Sequence, residues 1–83
     1  MSPITVYGAD WCEDTQRTRE HLDAIGVPYQ YVDIETNDRA AAWVKEQNGG
    51  KQITPTVRMP GLVLAEPSDG ELDAALRSRG VLA

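Results

Sequence analysis

The decisive stretch of this chain is Tyr7-Gly8-Ala9-Asp10-Trp11-Cys12-Glu13-Asp14-Thr15, which contains its only cysteine, Cys12. An apolar, β-branched run at residues 4–7 precedes it, and a helix-like pattern begins at the cysteine itself. The thiol is therefore predicted at a helix N-terminus, where the helix dipole and free N–H groups stabilise a thiolate. Because the thiolate is the reactive form of cysteine, this placement predicts thiol chemistry rather than packing.

Length and composition limit the classes of protein that this chain can represent. A chain of 83 residues is expected to form one domain with a modest core. A single cysteine excludes an internal disulfide framework and a cysteine-rich metal site. The formal charge of -5 argues against a nucleic-acid partner, since phosphate binding needs clustered Lys and Arg and the basic residues here are scattered.

We expect a cytoplasmic protein. The sequence has no apolar run long enough to cross a bilayer, and no basic-then-apolar signal segment at its start. The cytoplasm is also where a free thiol stays reduced. We therefore expect no membrane partner, and we expect a monomer.

Hydrophobic periodicity predicts four strands and three helices in the order β-α-β-α-β-β-α. The predicted strands are residues 4–7, 29–34, 56–59 and 62–65. The first β-α-β unit implies a parallel pair with a right-handed crossover, and Pro60-Gly61 predicts a hairpin. The predicted fold class is therefore α/β, with a four-stranded mixed sheet flanked by three helices on its two faces.

Capping residues set the predicted helix ends. The first helix spans residues 12–25, with Asp10 and Glu13 as a capping box and Gly26 as its stop. The second helix begins after one of three candidate caps and stops at Asn48-Gly49-Gly50; the candidates are Thr36, Asn37 and Asp38. A second capping box, Ser68 with Glu71, begins the last helix, which ends at Gly80.

Three motifs, in this order and spacing, resemble the glutaredoxins of the thioredoxin superfamily. They are Trp11-Cys12-Glu13-Asp14-Thr15, Ile53-Thr54-Pro55-Thr56-Val57 and Glu66-Pro67-Ser68-Asp69. Further segments are similar to the mycoredoxins, the glutaredoxin-like proteins of mycothiol-using bacteria: Val32-Asp33-Ile34-Glu35, residues 37–42 and Asn48-Gly49-Gly50. The resemblance implies one glutaredoxin-like domain over residues 1–83, a thioredoxin/glutaredoxin fold and thiol-disulfide oxidoreductase activity.

The resemblance also implies roles for individual residues. Cys12 would be catalytic, with a cis Pro55 facing it and the backbone of Thr54 free to pair with a bound thiol. Ser68 and Asp69 correspond to the place where glutaredoxins hold the carboxylate end of glutathione, and would bind the small thiol here. The local sequence alone favours an ordinary trans proline at a strand start for Pro55, and it also fits plain helix capping by Ser68.

The implied partners are mixed-disulfide proteins and a low-molecular-weight thiol, mycothiol or glutathione, as co-substrate. No tightly bound cofactor and no metal are expected. An acidic rim around Cys12 should repel highly anionic thiols, and mycothiol bears fewer charges than glutathione. The resemblance to mycoredoxins ranks mycothiol first, and the charge argument adds minor support.

The chain departs from the dithiol members of the family at Thr15, where they carry a second cysteine. A monothiol route remains: Cys12 attacks a mixed disulfide, retains the small thiol, and a second thiol molecule releases it. The Thr15 hydroxyl either donates to the Cys12 sulfur or merely packs within the helix. Trp11 is expected to form a partly exposed apolar wall beside the thiol.

Charges near Cys12 favour only a modest lowering of its pKa. Ala9 stands where many glutaredoxins have a lysine, so the candidate cations are Arg17 and Arg39. Like charge disfavours ionisation of the thiol, and three carboxylates flank it: Asp10, Glu13 and Asp14. His21, late in the first helix, is predicted to be a solvated helix residue, and Trp43 a packing residue.

Two other functions remain open. Some monothiol glutaredoxins hold an iron–sulfur cluster between two protomers, but they carry Gly-Phe-Ser after the cysteine, where this chain has Glu13-Asp14-Thr15. A redox-inactive thioredoxin-fold binding module fits the absent second cysteine. It fits the retained Trp11-Cys12 and Thr54-Pro55 pairs less well.

Overall fold

The computed structural model describes residues 2–82 and has a four-stranded mixed sheet. Its strands are β1 (Thr5–Gly8), β2 (Gln30–Asp33), β3 (Thr56–Met59) and β4 (Leu62–Ala65), in the spatial order β2-β1-β3-β4. β1 pairs in parallel with β2 and antiparallel with β3, and β4 pairs antiparallel with β3. The predicted fold class and the predicted order of strands and helices along the chain are confirmed.

Three helices cover the two faces of this sheet: α1 (Glu13–Ala24), α2 (Asp38–Gln47) and α3 (Asp69–Ser78). α1 and α3 pack on one face through a cluster that includes Val6, Leu22, Val57, Leu72 and Leu76. α2 packs on the other face through Ile34, Ala40 and Val44. The rings of Tyr7 and Trp43 lie 4.6 Å apart in this second cluster, so Trp43 is a packing residue as predicted. None of these helices is long and apolar enough to cross a membrane.

Two helices begin and end as their capping residues predict. The Asn37 side chain caps α2 by accepting from the Ala40 N–H at 3.0 Å. In α3, the Ser68 hydroxyl accepts from the Glu71 N–H at 3.1 Å, and the Glu71 carboxylate accepts from the Ser68 N–H at 2.9 Å. This reciprocal pair is the capping box expected from the sequence. Gly26, which follows α1, has a φ of 72°, the left-handed conformation that suits glycine at a helix end.

The predicted capping box at the start of α1 is wrong. Cys12 is the N-cap residue, and no side chain caps this helix. Asp10 lies two residues earlier, too far back to reach the first free N–H groups of α1. Its carboxylate instead accepts a hydrogen bond of 2.8 Å from the Tyr31 hydroxyl, so it connects the loop before Cys12 to β2.

The prediction that His21 is a solvated helix residue is also wrong. Its side chain is mostly buried between α1 and α3, and one ring nitrogen lies 2.7 Å from the Asp73 carboxylate. The other ring nitrogen lies 3.7 Å from the Asp69 carboxylate. The contacts join residues about 50 positions apart, which helical periodicity alone does not reveal.

The junction between β1 and α1 is unusually close. Thr15 is fully buried, and a Cβ atom added to Gly8 would lie 2.4 Å from the Thr15 Cγ2 atom. The Thr15 hydroxyl accepts from the Ala9 N–H at 3.4 Å, and the Cys12 N–H donates to the Ala9 carbonyl at 3.0 Å. These contacts hold the connecting loop so that Cys12 lies at the end of the central strand.

Replacing Thr18 by valine is expected to stabilise the fold. Thr18 is fully buried on α1, and its hydroxyl has no hydrogen-bond partner among residues 2–82. Thr18→Val removes this unpaired polar group with little change in shape or helix propensity, so the free energy of unfolding should rise by about 1 kcal/mol. Urea denaturation measures this change.

Thr56→Val is the matched control for that measurement. Thr56 is equally buried, but its hydroxyl is hydrogen-bonded, so the same substitution should lower the free energy of unfolding. A Thr18→Val protein that is no more stable than wild type would contradict the prediction.

Candidate active site

Cys12 lies at the N-terminus of α1 with its side chain partly exposed. Its backbone is extended, with φ -79° and ψ 120°, and its carbonyl accepts the first helical hydrogen bond from the Gln16 N–H at 3.0 Å. The free N–H groups of the first helical turn therefore face the region of the sulfur. This is the arrangement that the sequence predicts for a reactive thiol.

Thr54 contacts the Cys12 sulfur with two of its oxygen atoms. The Thr54 hydroxyl donates to Sγ at 3.4 Å, and the thiol donates to the Thr54 carbonyl at 3.7 Å. Only the bond from the hydroxyl survives ionisation, because a thiolate has no proton to donate. The hydroxyl therefore favours the thiolate and the carbonyl favours the thiol. Sequence reasoning assigned Thr54 through its backbone and missed the hydroxyl, although the residue type itself was the available signal.

Burial raises the pKa of the Cys12 thiol, but hydrogen bonds outweigh it and the net pKa is lowered. The Thr54 hydroxyl contributes most to the lowering, followed by the Thr15 hydroxyl and then the N–H groups of Thr15 and Asp14. Neutral donors from the loop before β3 and from the helix start, rather than a basic side chain, thus stabilise the thiolate.

The carboxylates near Cys12 are largely engaged by partners of their own. Asp14 forms an ion pair of 3.4 Å with Arg17, and Asp10 accepts from Tyr31 at 2.8 Å. Burial raises the pKa of Tyr31, and the bond to Asp10 raises it further, so the phenol stays a donor. Glu13 is exposed in the first turn of α1.

Trp11, the residue before Cys12, is exposed rather than buried under α1. Its side chain is 70% exposed, and among residues 2–82 it is the one large hydrophobic side chain that faces solvent. The indole N–H donates to the Glu35 carboxylate, which follows β2. This bond fixes the position of the indole, while most of the side chain stays exposed to solvent.

Pro55 is buried, and the Thr54–Pro55 peptide bond is cis, as the resemblance implies. The Pro55 carbonyl accepts a hydrogen bond of 2.8 Å from the Glu66 N–H, and this bond connects the loop before β3 to the loop after β4. The structure therefore brings Cys12, Thr54 and Pro55 together.

Ser68 and Asp69 begin α3 and are connected to the cysteine helix through Arg17. The Arg17 guanidinium donates to the Pro67 carbonyl at 3.4 Å and lies 3.9 Å from the Asp69 carboxylate. Because Arg17 also pairs with Asp14, it joins the first turn of α1 to the start of α3. Arg17 was a candidate cation for the thiolate, and these carboxylate contacts occupy it instead; Arg39 is exposed in the first turn of α2.

No group of three His, Cys, Asp or Glu side chains within residues 2–82 is arranged to hold a metal ion.

The sequence of this chain matches the family model described as glutaredoxin over residues 4–63. The chain belongs to the glutaredoxin family. Mycoredoxin 1 of Corynebacterium glutamicum is 40% identical to this glutaredoxin over 58 residues, which cover 70% of this chain and 71% of that protein. Glutaredoxins are thiol-disulfide oxidoreductases that use a low-molecular-weight thiol as co-substrate.

Solved structures are similar to this glutaredoxin over nearly its full length. A mutant of the thioredoxin-like protein BC3987 matches with a TM-score of 0.81 at 26% identity, covering 93% of this chain and 97% of that one. The buckwheat glutaredoxin–glutathione complex matches with a TM-score of 0.73 at 22% identity, covering 98% of this chain and 82% of that one. The second likeness supports the fold alone.

Thr54→Val is expected to make Cys12 less acidic. Valine keeps the shape of threonine but removes the hydroxyl that bonds to the thiolate, so the pH midpoint of Cys12 alkylation should rise by roughly one unit or less. The wild-type midpoint should lie below that of a free cysteine but above about 5. Iodoacetamide alkylation followed across pH measures both values.

Thr54→Ser keeps the hydroxyl and should keep the wild-type midpoint. Equal midpoints for wild type and Thr54→Val would show that the hydroxyl does not stabilise the thiolate. A wild-type midpoint below about 5 would show that the stabilisation is much stronger than neutral donors provide.

Proposed function

We propose that this glutaredoxin is a monothiol oxidoreductase that reduces mixed disulfides between proteins and a low-molecular-weight thiol through Cys12. The observation that carries the proposal is the pair of contacts between Thr54 and the Cys12 sulfur at a helix N-terminus. A sulfur placed there is a partly exposed nucleophile whose ionised form has its own hydrogen-bond donors.

The proposed reaction has two thiol–disulfide exchanges. In the first, the Cys12 thiolate attacks the small-thiol sulfur of a protein mixed disulfide; a Cys12–small-thiol disulfide forms, and the protein sulfur leaves as a thiolate that takes up a proton. In the second, the thiolate of another small-thiol molecule attacks the small-thiol sulfur of that disulfide and releases Cys12 as a thiolate. The incoming small thiol is the reductant: its sulfur leaves joined to the small-thiol sulfur removed from the protein, and its proton balances the one taken up by the protein thiolate.

The second exchange must use a thiol from solution because the chain has no other cysteine. Thr15 occupies the position of the second cysteine of dithiol relatives, and it is buried beneath the helix start. For the incoming thiol we propose the surface formed by Trp11 and Thr54, with the buried Pro55 fixing the backbone of Thr54 and with the start of α3 at Ser68 and Asp69 as the far end of the surface. Glu13 and Asp14 would border this surface from the first turn of α1.

The small thiol that we propose is mycothiol. The relative at 40% identity is a mycoredoxin, and the carboxylates at the rim disfavour anionic thiols. The hydroxyl of Ser68 already accepts from Glu71, so toward a thiol it would act as a donor.

Turnover of a mixed-disulfide substrate with mycothiol and with glutathione tests the proposal. Wild type should turn over, and Cys12→Ser should lose all activity because no other sulfur can form the intermediate. The matched control is Cys12→Ser combined with Ser78→Cys, which moves the single thiol to an exposed position at the end of α3. That protein should stay inactive if the position of the thiol matters.

Absence of turnover with either thiol, on a folded wild-type protein, would reject the oxidoreductase and favour a binding module. Faster reaction of glutathione mixed disulfides than of mycothiol ones would reject the proposed thiol alone.

Neutralising Glu13 is expected to change the preference between thiols. Glu13→Gln removes an exposed charge beside the thiol, so kcat/KM with glutathione should rise about twofold while that with mycothiol changes less. Raising the ionic strength should shrink the difference. Glu46→Gln, an exposed residue on α2, is the control and should leave both values unchanged. If Glu13→Gln keeps the wild-type ratio of kcat/KM with glutathione to kcat/KM with mycothiol, the charge of Glu13 has no role in the choice of thiol.

A further inference from the structure

A chain of hydrogen bonds joins the end of α2 to the loop that carries Thr54. The side-chain amide of Asn48 donates to the Val44 carbonyl at 2.8 Å and to the Thr56 hydroxyl at 3.2 Å. The Thr56 hydroxyl lies 2.8 Å from the Ile53 carbonyl, which immediately precedes Thr54. Among the side-chain hydrogen bonds of residues 2–82, none joins Val44, Asn48 or Thr56 to Cys12, whereas Thr54, next to Ile53, is bonded to it.

The direction of these hydrogen bonds is fixed by the carbonyl groups at the two ends. Val44 and Ile53 contribute backbone carbonyls, which can only accept. The Asn48 nitrogen must therefore face Val44, and the Thr56 proton must point to Ile53. The Thr56 oxygen is then left to accept the second amide proton of Asn48. The Asn48 amide and the Thr56 hydroxyl therefore each have one possible set of donor and acceptor roles, and these roles cannot be exchanged.

Burial makes this arrangement rigid. Thr56 is fully buried, and in the sheet it pairs with Tyr7 of the central strand. A buried hydroxyl that lost either partner would keep an unpaired polar group, which costs about 1–3 kcal/mol. Thr54, in contrast, lies in the loop before β3, outside any helix or strand. The backbone of this loop therefore takes its orientation from the neighbours on either side of Thr54.

Those neighbours are bonded to different parts of the fold. On the C-terminal side, the Pro55 carbonyl accepts from the Glu66 N–H at 2.8 Å. On the N-terminal side, the Ile53 carbonyl accepts from Thr56, and Thr56 is oriented by Asn48. The distance of 3.4 Å between the Thr54 hydroxyl and the Cys12 sulfur depends on both anchors.

We propose that Asn48 and Thr56 are positioning residues for Cys12, because they orient the Ile53 carbonyl and thereby aim the Thr54 hydroxyl at the sulfur. This inference rests on the proposed function only in taking Cys12 as the reacting group. It assigns Asn48 a role beyond ending α2, and it assigns Thr56 a role beyond strand packing.

The test is a double-mutant cycle read out by the pH midpoint of Cys12 alkylation with iodoacetamide. Because the chain has one cysteine, every alkylation event reports the same site. Thr56→Val in the wild-type background should raise the midpoint by about 0.5 pH unit, since the Thr54 hydroxyl is less well aimed. In the Thr54→Val background, Thr56→Val should leave the midpoint unchanged, because the hydroxyl through which it acts is gone.

Three further variants make the test specific. Thr56→Ser keeps the hydroxyl and should restore the wild-type midpoint. Asn48→Ala changes a partly exposed residue and should raise the midpoint in the same direction as Thr56→Val. Thr18→Val is the matched control, because Thr18 is a buried threonine whose hydroxyl has no partner among residues 2–82, and it should leave the midpoint unchanged.

An unchanged midpoint in Thr56→Val would overturn the proposal, and so would an equal rise in both backgrounds, which indicates a general structural effect. Urea denaturation of each variant confirms that the alkylated proteins are folded. The outcome is separate from that of the proposed function, because alkylation needs no disulfide substrate. A protein that shows the coupling but no mixed-disulfide turnover would reject the oxidoreductase and keep the positioning role.

Discussion

The contact between Gly8 and Thr15 is the constraint on which the rest of the site depends. With no side chain on Gly8, the last residue of β1 lies directly against the first turn of α1, and the loop between them closes through the Ala9 and Cys12 hydrogen bonds. Cys12 is thereby held at the end of the central strand. Because β3 pairs with β1, with Thr56 opposite Tyr7, the loop before β3 then lies beside the sulfur. The packing of one glycine thus decides which residue faces the thiol.

Neutral donors rather than a cation stabilise the thiolate in this arrangement. The nearby basic side chain, Arg17, pairs with Asp14 and Asp69, so it connects two helices instead of facing the sulfur. Hydroxyl and N–H donors act over hydrogen-bond distances and are less sensitive to salt than an exposed charge. An acidic surface and a reactive cysteine are therefore compatible here, since the stabilising groups bond directly to Sγ while Asp10 and Asp14 have other partners.

The fold was largely predictable because it follows from local patterns. The hairpin strands at 56–59 and 62–65 and the Ser68–Glu71 box occur where apolar runs, Pro60-Gly61 and cap residues indicate. The errors involve residues whose partners are distant in sequence. Asp10 bonds to Tyr31 and His21 to Asp73, 21 and 52 positions away, and no periodicity encodes such contacts. The Thr54 hydroxyl was missed for the same reason, since its partner Cys12 is 42 positions away.

Thr15 links the packing of the site to its proposed chemistry. In dithiol relatives a second cysteine at this position ends the reaction within the protein, whereas Thr15 is buried and its hydroxyl accepts from the Ala9 N–H. Thr15 therefore helps to hold the loop that carries Cys12. Because this position has no second sulfur, the proposed reaction must end with a thiol from solution. That thiol has to approach past Trp11 and the exposed carboxylate of Glu13. With Thr15 at this position, our proposal makes surface charge, rather than an internal sulfur, the feature that governs release of the small thiol from Cys12.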